Sequence, residues 1–253
     1  MLQKTTPLKT PNPALKATDL IQKLLHQRDL KQAQELSRFF KTGPGQYGHG
    51  DRFLGIKVPV LRNLARSFRA LPLSEIKKLF KNPWHEVRFS ALILLVKQYE
   101  RADTQESRRQ LFEFYLQHTQ YINNWDLVDI SAPRIPGPYL LSLSKKDSDA
   151  HLNQWINSNN LWQRRIAVLS MAAWIRDDRL KEALRWLKLS LPDSEDLMHK
   201  ANGWMLREVG KKDPELLRNF LRSYYSQVPR TTLRYAIERW SPSERKRWLR
   251  SPN

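Results

Sequence analysis

An all-α fold of helix pairs stacked in series is predicted by three observations. Apolar residues recur at helical spacing along most of the chain, no convincing strand alternation appears from Val58 onward, and one short motif returns at a regular interval. Composition sets the limits. The 253 residues carry 44 Lys and Arg against 25 Asp and Glu, a formal charge of +19, which calls for a polyanionic partner, nucleic acid first and anionic membrane second. With 40% apolar residues and nine tryptophans, disorder is excluded as the reason for that charge. The absence of cysteine excludes disulfides, iron-sulfur ligation and thiol chemistry, and fits a reducing cytoplasm. His26, His49, His85, His118, His151 and His199 are scattered without metal-ligand spacing, so neither metal nor cofactor is expected. The longest apolar run, Ala91 to Val96, is far short of a membrane span, and the N-terminus lacks a signal-peptide core. A cytoplasmic monomer, nucleoid-associated when bound to DNA, is the expectation.

Residues 1–17 read as a flexible basic arm, with Pro7, Pro11 and Pro13 among Lys4, Lys9 and Lys16, and residues 18–253 as a single domain. Helical periodicity starts near Thr18 with Leu20, Ile21, Leu24 and Leu25, and a second helix follows from about Asp29 to Lys41. Gly43 to Asp51 then holds four of the eight glycines, a loop able to approach a nucleic-acid backbone or simply to connect. Further helices are predicted over 58–69, 73–80, 84–100, 104–119, 123–132, 137–144, 147–157, 161–175, 178–189, 193–209, 213–225, 230–239 and 241–250. Pro83, Pro192, Pro214 and Pro242 lie near helix starts, and the loops are short.

Val87-Arg88-Phe89-Ser90-Ala91 and Val128-Asp129-Ile130-Ser131-Ala132 superpose without a gap, and Arg165, Lys200 and Arg234 fall into the same register. The steps from 88 to 129, 165, 200 and 234 are 41, 36, 35 and 34 residues, which predicts a HEAT-like helical repeat solenoid. Equivalent positions of the second helices should share one concave basic surface, giving a column of Arg88, Asp129, Arg165, Lys200 and Arg234, with Arg164 beside it. One acid stands among bases that suit duplex phosphates. The segment from Lys211 to Asn253 continues that character, with 11 Lys or Arg against 4 Asp or Glu.

The acid lies in Asn123 to Ala132, which reads as a short helix capped by an Asn and stopped by Pro133 and Pro136. Trp125 and Asp129 are four apart and share a face, and Trp204 stands four after Lys200 in the same way. Either indole could serve the core instead, and Asp126 is accounted for by the helix N-terminus. Asp129, beyond the first turn, is not. A carboxylate and two indoles facing DNA suit stabilisation of the oxocarbenium-like transition state formed when an N-glycosidic bond breaks. The same carboxylate can orient water, and a cationic alkylpurine leaves without a general acid.

From about residue 20 to 240 the chain resembles the AlkD-type DNA alkylation repair glycosylases. The likeness runs through Gly48-His49-Gly50-Asp51-Arg52-Phe53-Leu54-Gly55-Ile56, Trp125-Asp126-Leu127-Val128-Asp129, Asn160 to Arg165, and Lys200 to Glu208. The resemblance implies a HEAT-like solenoid and a base excision repair hydrolase that removes N3- or N7-alkylpurines from duplex DNA. It further implies that Asp129 is the catalytic carboxylate, that Trp125 and Trp204 contact the lesion deoxyribose, that Arg165 holds the backbone nearby, and that no base is flipped. The competing expectation is a non-catalytic nucleic-acid-binding scaffold of the same fold. A protein-binding repeat module is a third reading, one that leaves Asp129 unexplained.

Overall fold

The structure is a computed structural model that describes residues 15–250, so the first fourteen residues of the expected arm lie outside it. Among the described residues there are helices and no strands, only one isolated bridge between Arg52 and Trp84. The chain divides into two compact units, 1–122 and 123–253.

The first unit contains α1 (Ala17–His26), α2 (Leu30–Phe39), α3 (Val58–Arg66), α4 (Leu73–Phe80), α5 (His85–Glu100) and α6 (Gln105–Leu116). Its centre is α5, which is apolar nearly all round and is buried along Val87 to Val96. Helices α3, α4 and α6 pack on it, and α1 docks on α3 and α4. The loop between α2 and α3 is tied down by one carboxylate. Glu86, buried at the start of α5, accepts from the backbone N–H groups of Leu54, Gly55 and Ile56 at 2.9, 2.8 and 3.2 Å. One glycine of this loop is required by its packing. A Cβ at Gly48 would stand 2.2 Å from the Phe40 carbonyl oxygen, so only glycine lets the loop fold back on the end of α2.

The second unit contains α7 (Trp125–Ser131), α8 (Pro136–Leu141), α9 (Lys145–Ile156), α10 (Leu161–Arg176), α11 (Leu180–Leu189), α12 (Asp196–Lys212), α13 (Pro214–Ser223), α14 (Arg230–Ala236) and α15 (Pro242–Arg250). Helix α10 is central, with α7, α8, α9, α11 and α12 packed around it, and α12 in turn carries α13 and α14. Residues 166–171 of α10 are all buried.

The repeat seen in sequence has a physical counterpart in each unit. Val87, Ser90 and Ala91 are fully buried, and so are Val128, Ser131 and Ala132. Both serines donate to the carbonyl four residues back, Ser90 to Glu86 and Ser131 to Leu127. The superposed motif therefore encodes one packed helix face used twice. The chain is an all-α protein of HEAT-like helix pairs, with boundaries within a few residues of those expected.

Candidate active site

Helix α7 is short for reasons local to its sequence. Asn124 is fully buried, and its side-chain oxygen accepts the Trp125 N–H at 2.8 Å, closing the first turn. At the other end Pro133 and Pro136 cannot continue the ladder, and Ile135 N–H bonds back to the Ser131 carbonyl before α8 begins. Leu127 and Val128 bury one side of the helix, which leaves Trp125, Asp126 and Asp129 half-buried.

Asp129 is held by Arg165 of α10 in a two-pronged ion pair, Nε to Oδ1 at 2.9 Å and Nη2 to Oδ2 at 3.0 Å. The same guanidinium donates through Nη1 to the Leu197 carbonyl in the first turn of α12. Arg165 thus ties α7, α10 and α12 together from a position only 4% exposed. The Asp129 side chain keeps 21% of its surface, so part of the carboxylate still faces solvent. Burial pushes its pKa up to about 6; Arg165 opposes this and the nearby Asp126 adds to it. At neutral pH Asp129 is ionised, yet it sits close to the point where it would take a proton.

Trp204, on α12, is half-buried, and its indole N–H donates to Glu208 Oε1 at 3.2 Å. Glu208 is itself pinned by Lys211 at 2.7 and 2.8 Å. Glu208 was not among the expected site residues, although its spacing of four from Trp204 is a signal the sequence carries.

The expected cation column is not a uniform surface row. Arg88 is 6% exposed and is spent on Asp51 at 2.6 Å and on the carbonyls of Asn82 and Pro83, which corrects its expected place on an open face. Arg164 is engaged with Asp193 at 2.6 Å and with the Ser158 carbonyl, so it staples the loop before α12. Arg165 is buried behind Asp129. Lys200 is 39% exposed and pairs with the exposed Asp196 one turn earlier, and Arg234 is exposed. Asp129 is also not a bare acid among bases, because its charge is offset locally by Arg165.

Two cavities in this unit, of about 270 and 360 Å³, are lined by residues such as Trp174, Arg185 and Trp186 in one and Arg207, Arg218 and Trp240 in the other. Neither of these two is lined by Trp125, Asp129 or Trp204. Among the described residues no three His, Asp or Glu side chains gather as a metal site. No described helix is long and apolar enough to cross a membrane.

Comparison with known proteins gives the geometry a context. A solved structure described as a predicted DNA alkylation repair enzyme from Enterococcus faecalis superposes with a TM-score of 0.66 at 18% identity, covering 85% of this chain and 97% of that one. AlkD2 from Streptococcus mutans superposes with a TM-score of 0.52 at 18% identity, covering 88% of this chain and 98% of that one. At such identity these likenesses speak to the fold. No curated protein sequence matches significantly. The profile of the family described as DNA alkylation repair enzyme matches residues 20–240, and on that match, spanning most of both units, the chain belongs to the DNA alkylation repair enzyme family.

Proposed function

We propose that the protein is a monofunctional DNA glycosylase that hydrolyses the N-glycosidic bond of cationic N3- or N7-alkylpurines in duplex DNA. Asp129 is the catalytic carboxylate, Trp125 and Trp204 lie against the lesion deoxyribose, and Lys200 and Arg234 hold neighbouring phosphates. In the reaction the bond from C1′ to the purine nitrogen breaks with its electron pair leaving on the base. The base, already positively charged, departs neutral, and no proton donor is needed. The positive charge passes to the sugar, where the Asp129 carboxylate stabilises it. Water then adds at C1′, and its proton is released by way of Asp129 to solvent. The indole faces add cation–π attraction on the order of 1 kcal/mol each.

One observation carries this reading. Asp129 is a largely buried carboxylate that remains ionised at neutral pH while keeping an accessible edge, as a group that must meet a transient cation requires. Arg165 is then a positioning residue that fixes the carboxylate from behind. Recognition without base flipping is part of the proposal, because the candidate residues sit on a row of helices and would meet sugar and backbone rather than a base edge. The ion pair itself favours a second reading, a non-catalytic DNA-binding scaffold in which Asp129 merely neutralises a buried guanidinium.

A single-turnover assay on duplexes with N7-alkylguanines of equal spontaneous lability, graded from methyl to bulky, tests both. Release of free base above the spontaneous rate supports the glycosylase, and release only at the background rate supports the scaffold. Rates that hold within several-fold as the adduct grows support recognition through the sugar. A steep fall with size would show a confining base pocket.

A further inference from the structure

In the first unit, Arg28 and Arg52 both lie over the indole of Trp84, their Cζ atoms 5.4 and 4.6 Å from its ring centroid. Both arginines are exposed and Trp84 is half-buried. Two guanidiniums gathered at one indole concentrate positive charge there, which the ring attracts only weakly and an anion would neutralise. The acids nearest in sequence are all committed elsewhere. Asp29 caps α2 through the Gln32 N–H at 3.0 Å. Asp51 is buried, with Arg88 and His85 as its partners, and Glu86 is buried beneath three backbone amides. Among the described residues, no carboxylate forms an ion pair with Arg28 or Arg52.

The backbone beneath these side chains is fixed. The Arg52 carbonyl accepts the His85 N–H at 2.8 Å, and the Trp84 N–H is satisfied by the Asn82 side chain at 3.0 Å. Phe53 and His85, buried on either side of this bridge, stack with ring centroids 4.6 Å apart. Arg52 and the indole therefore stand on a hydrogen-bonded backbone, and both guanidiniums reach solvent. Trp84 also stands four residues before Arg88, as Trp125 stands four before Asp129 in the superposed motif. The same repeat position thus carries a half-exposed indole in each unit, here accompanied by guanidiniums in place of a carboxylate.

We propose that Arg28, Arg52 and Trp84 form a phosphate clamp that anchors the sugar-phosphate backbone of duplex DNA on the first unit, separately from the chemistry at Asp129. Guanidiniums held against an indole can still turn N–H donors to phosphate oxygens and lose less side-chain entropy when they bind one. The inference rests on DNA being the partner, as in the proposed function, but not on Asp129 being catalytic.

The test is binding of unmodified duplex DNA by the full chain, followed by fluorescence anisotropy across a salt series, for wild type and Arg28→Gln/Arg52→Gln. The variant is expected to bind at least several-fold more weakly at low salt and to lose about one to two units of the slope of log affinity against log salt. Arg28→Lys/Arg52→Lys should fall between the two, keeping the charge but not the stacked fork. If wild type binds duplex DNA and the Gln variant binds it with the same affinity and slope, the clamp is overturned while the proposed function stands. If wild type does not bind duplex DNA, both fall. Matching helix content and melting temperature confirm that the exposed substitutions leave the fold intact, and Arg52→Gln alone serves if the double variant does not fold.

Discussion

Two opposing influences set the charge of Asp129. Burial raises its pKa to about 6, and the guanidinium of Arg165, 2.9 Å away, pulls it back towards the ordinary carboxylate range. If the ionised carboxylate stabilises the cation that develops on the sugar, excision of 7-methylguanine should lose rate as pH falls through about 6, because protonation removes the anion. Arg165→Gln removes the downward pull, so the midpoint should move to higher pH in that variant. A single-turnover rate, corrected for spontaneous loss, that is flat between about pH 5 and 7 would contradict an ionised Asp129 in the mechanism. At this scale the sequence placed side chains on helices and did not show how deeply they lie. Arg88, Arg164 and Arg165 were placed on the right helices, yet each is consumed by an acid 29 to 37 residues away. Register fixes the face of a helix; the depth of that face depends on the neighbouring helix and on whether a carboxylate there meets the cation.

Helix by helix, more was legible. The end of α7 followed from Pro133 and Pro136, and its start from the Asn pair, of which Asn124 is the cap. The superposition of residues 87–91 on 128–132 correctly marked equivalent packed faces, because buried valine, serine and alanine carry the repeat. What periodicity could not show is how closely helices approach. At Gly203 on α12 an added Cβ would stand 2.5 Å from the Tyr235 Cβ and 2.6 Å from the Thr232 carbonyl oxygen, so α12 and α14 touch backbone to backbone. Gly203→Ala should therefore destabilise the fold by about 1–3 kcal/mol, read as a lower denaturant midpoint at unchanged slope. An unchanged midpoint would mean that α14 moves away freely. Because Gly203 adjoins Trp204, base release in that variant should fall together with stability.

Over the whole molecule, the formal charge of +19 pointed to a polyanion, and family membership agrees with that direction. Its distribution was only partly readable. Buried ion pairs absorb several cations counted in the sequence, whereas Arg28 and Arg52, neither of them among the expected DNA-binding residues, stand exposed over Trp84. Their significance needed the fold, since the loop between α1 and α2, the loop after α2 and the residue that caps α5 supply one residue each. Asp129 is the one residue whose removal should separate catalysis from binding. The decisive measurement compares wild type with Asp129→Asn for release of 7-methylguanine from duplex DNA under single-turnover conditions, alongside affinity for the same duplex. Asn is nearly isosteric and can still accept one bond from Arg165, so the fold and the DNA contacts should persist. The account predicts base release reduced to the spontaneous background, about 100-fold or more below wild type, with binding equal or slightly tighter. Excision by Asp129→Asn within a few-fold of wild type would contradict it.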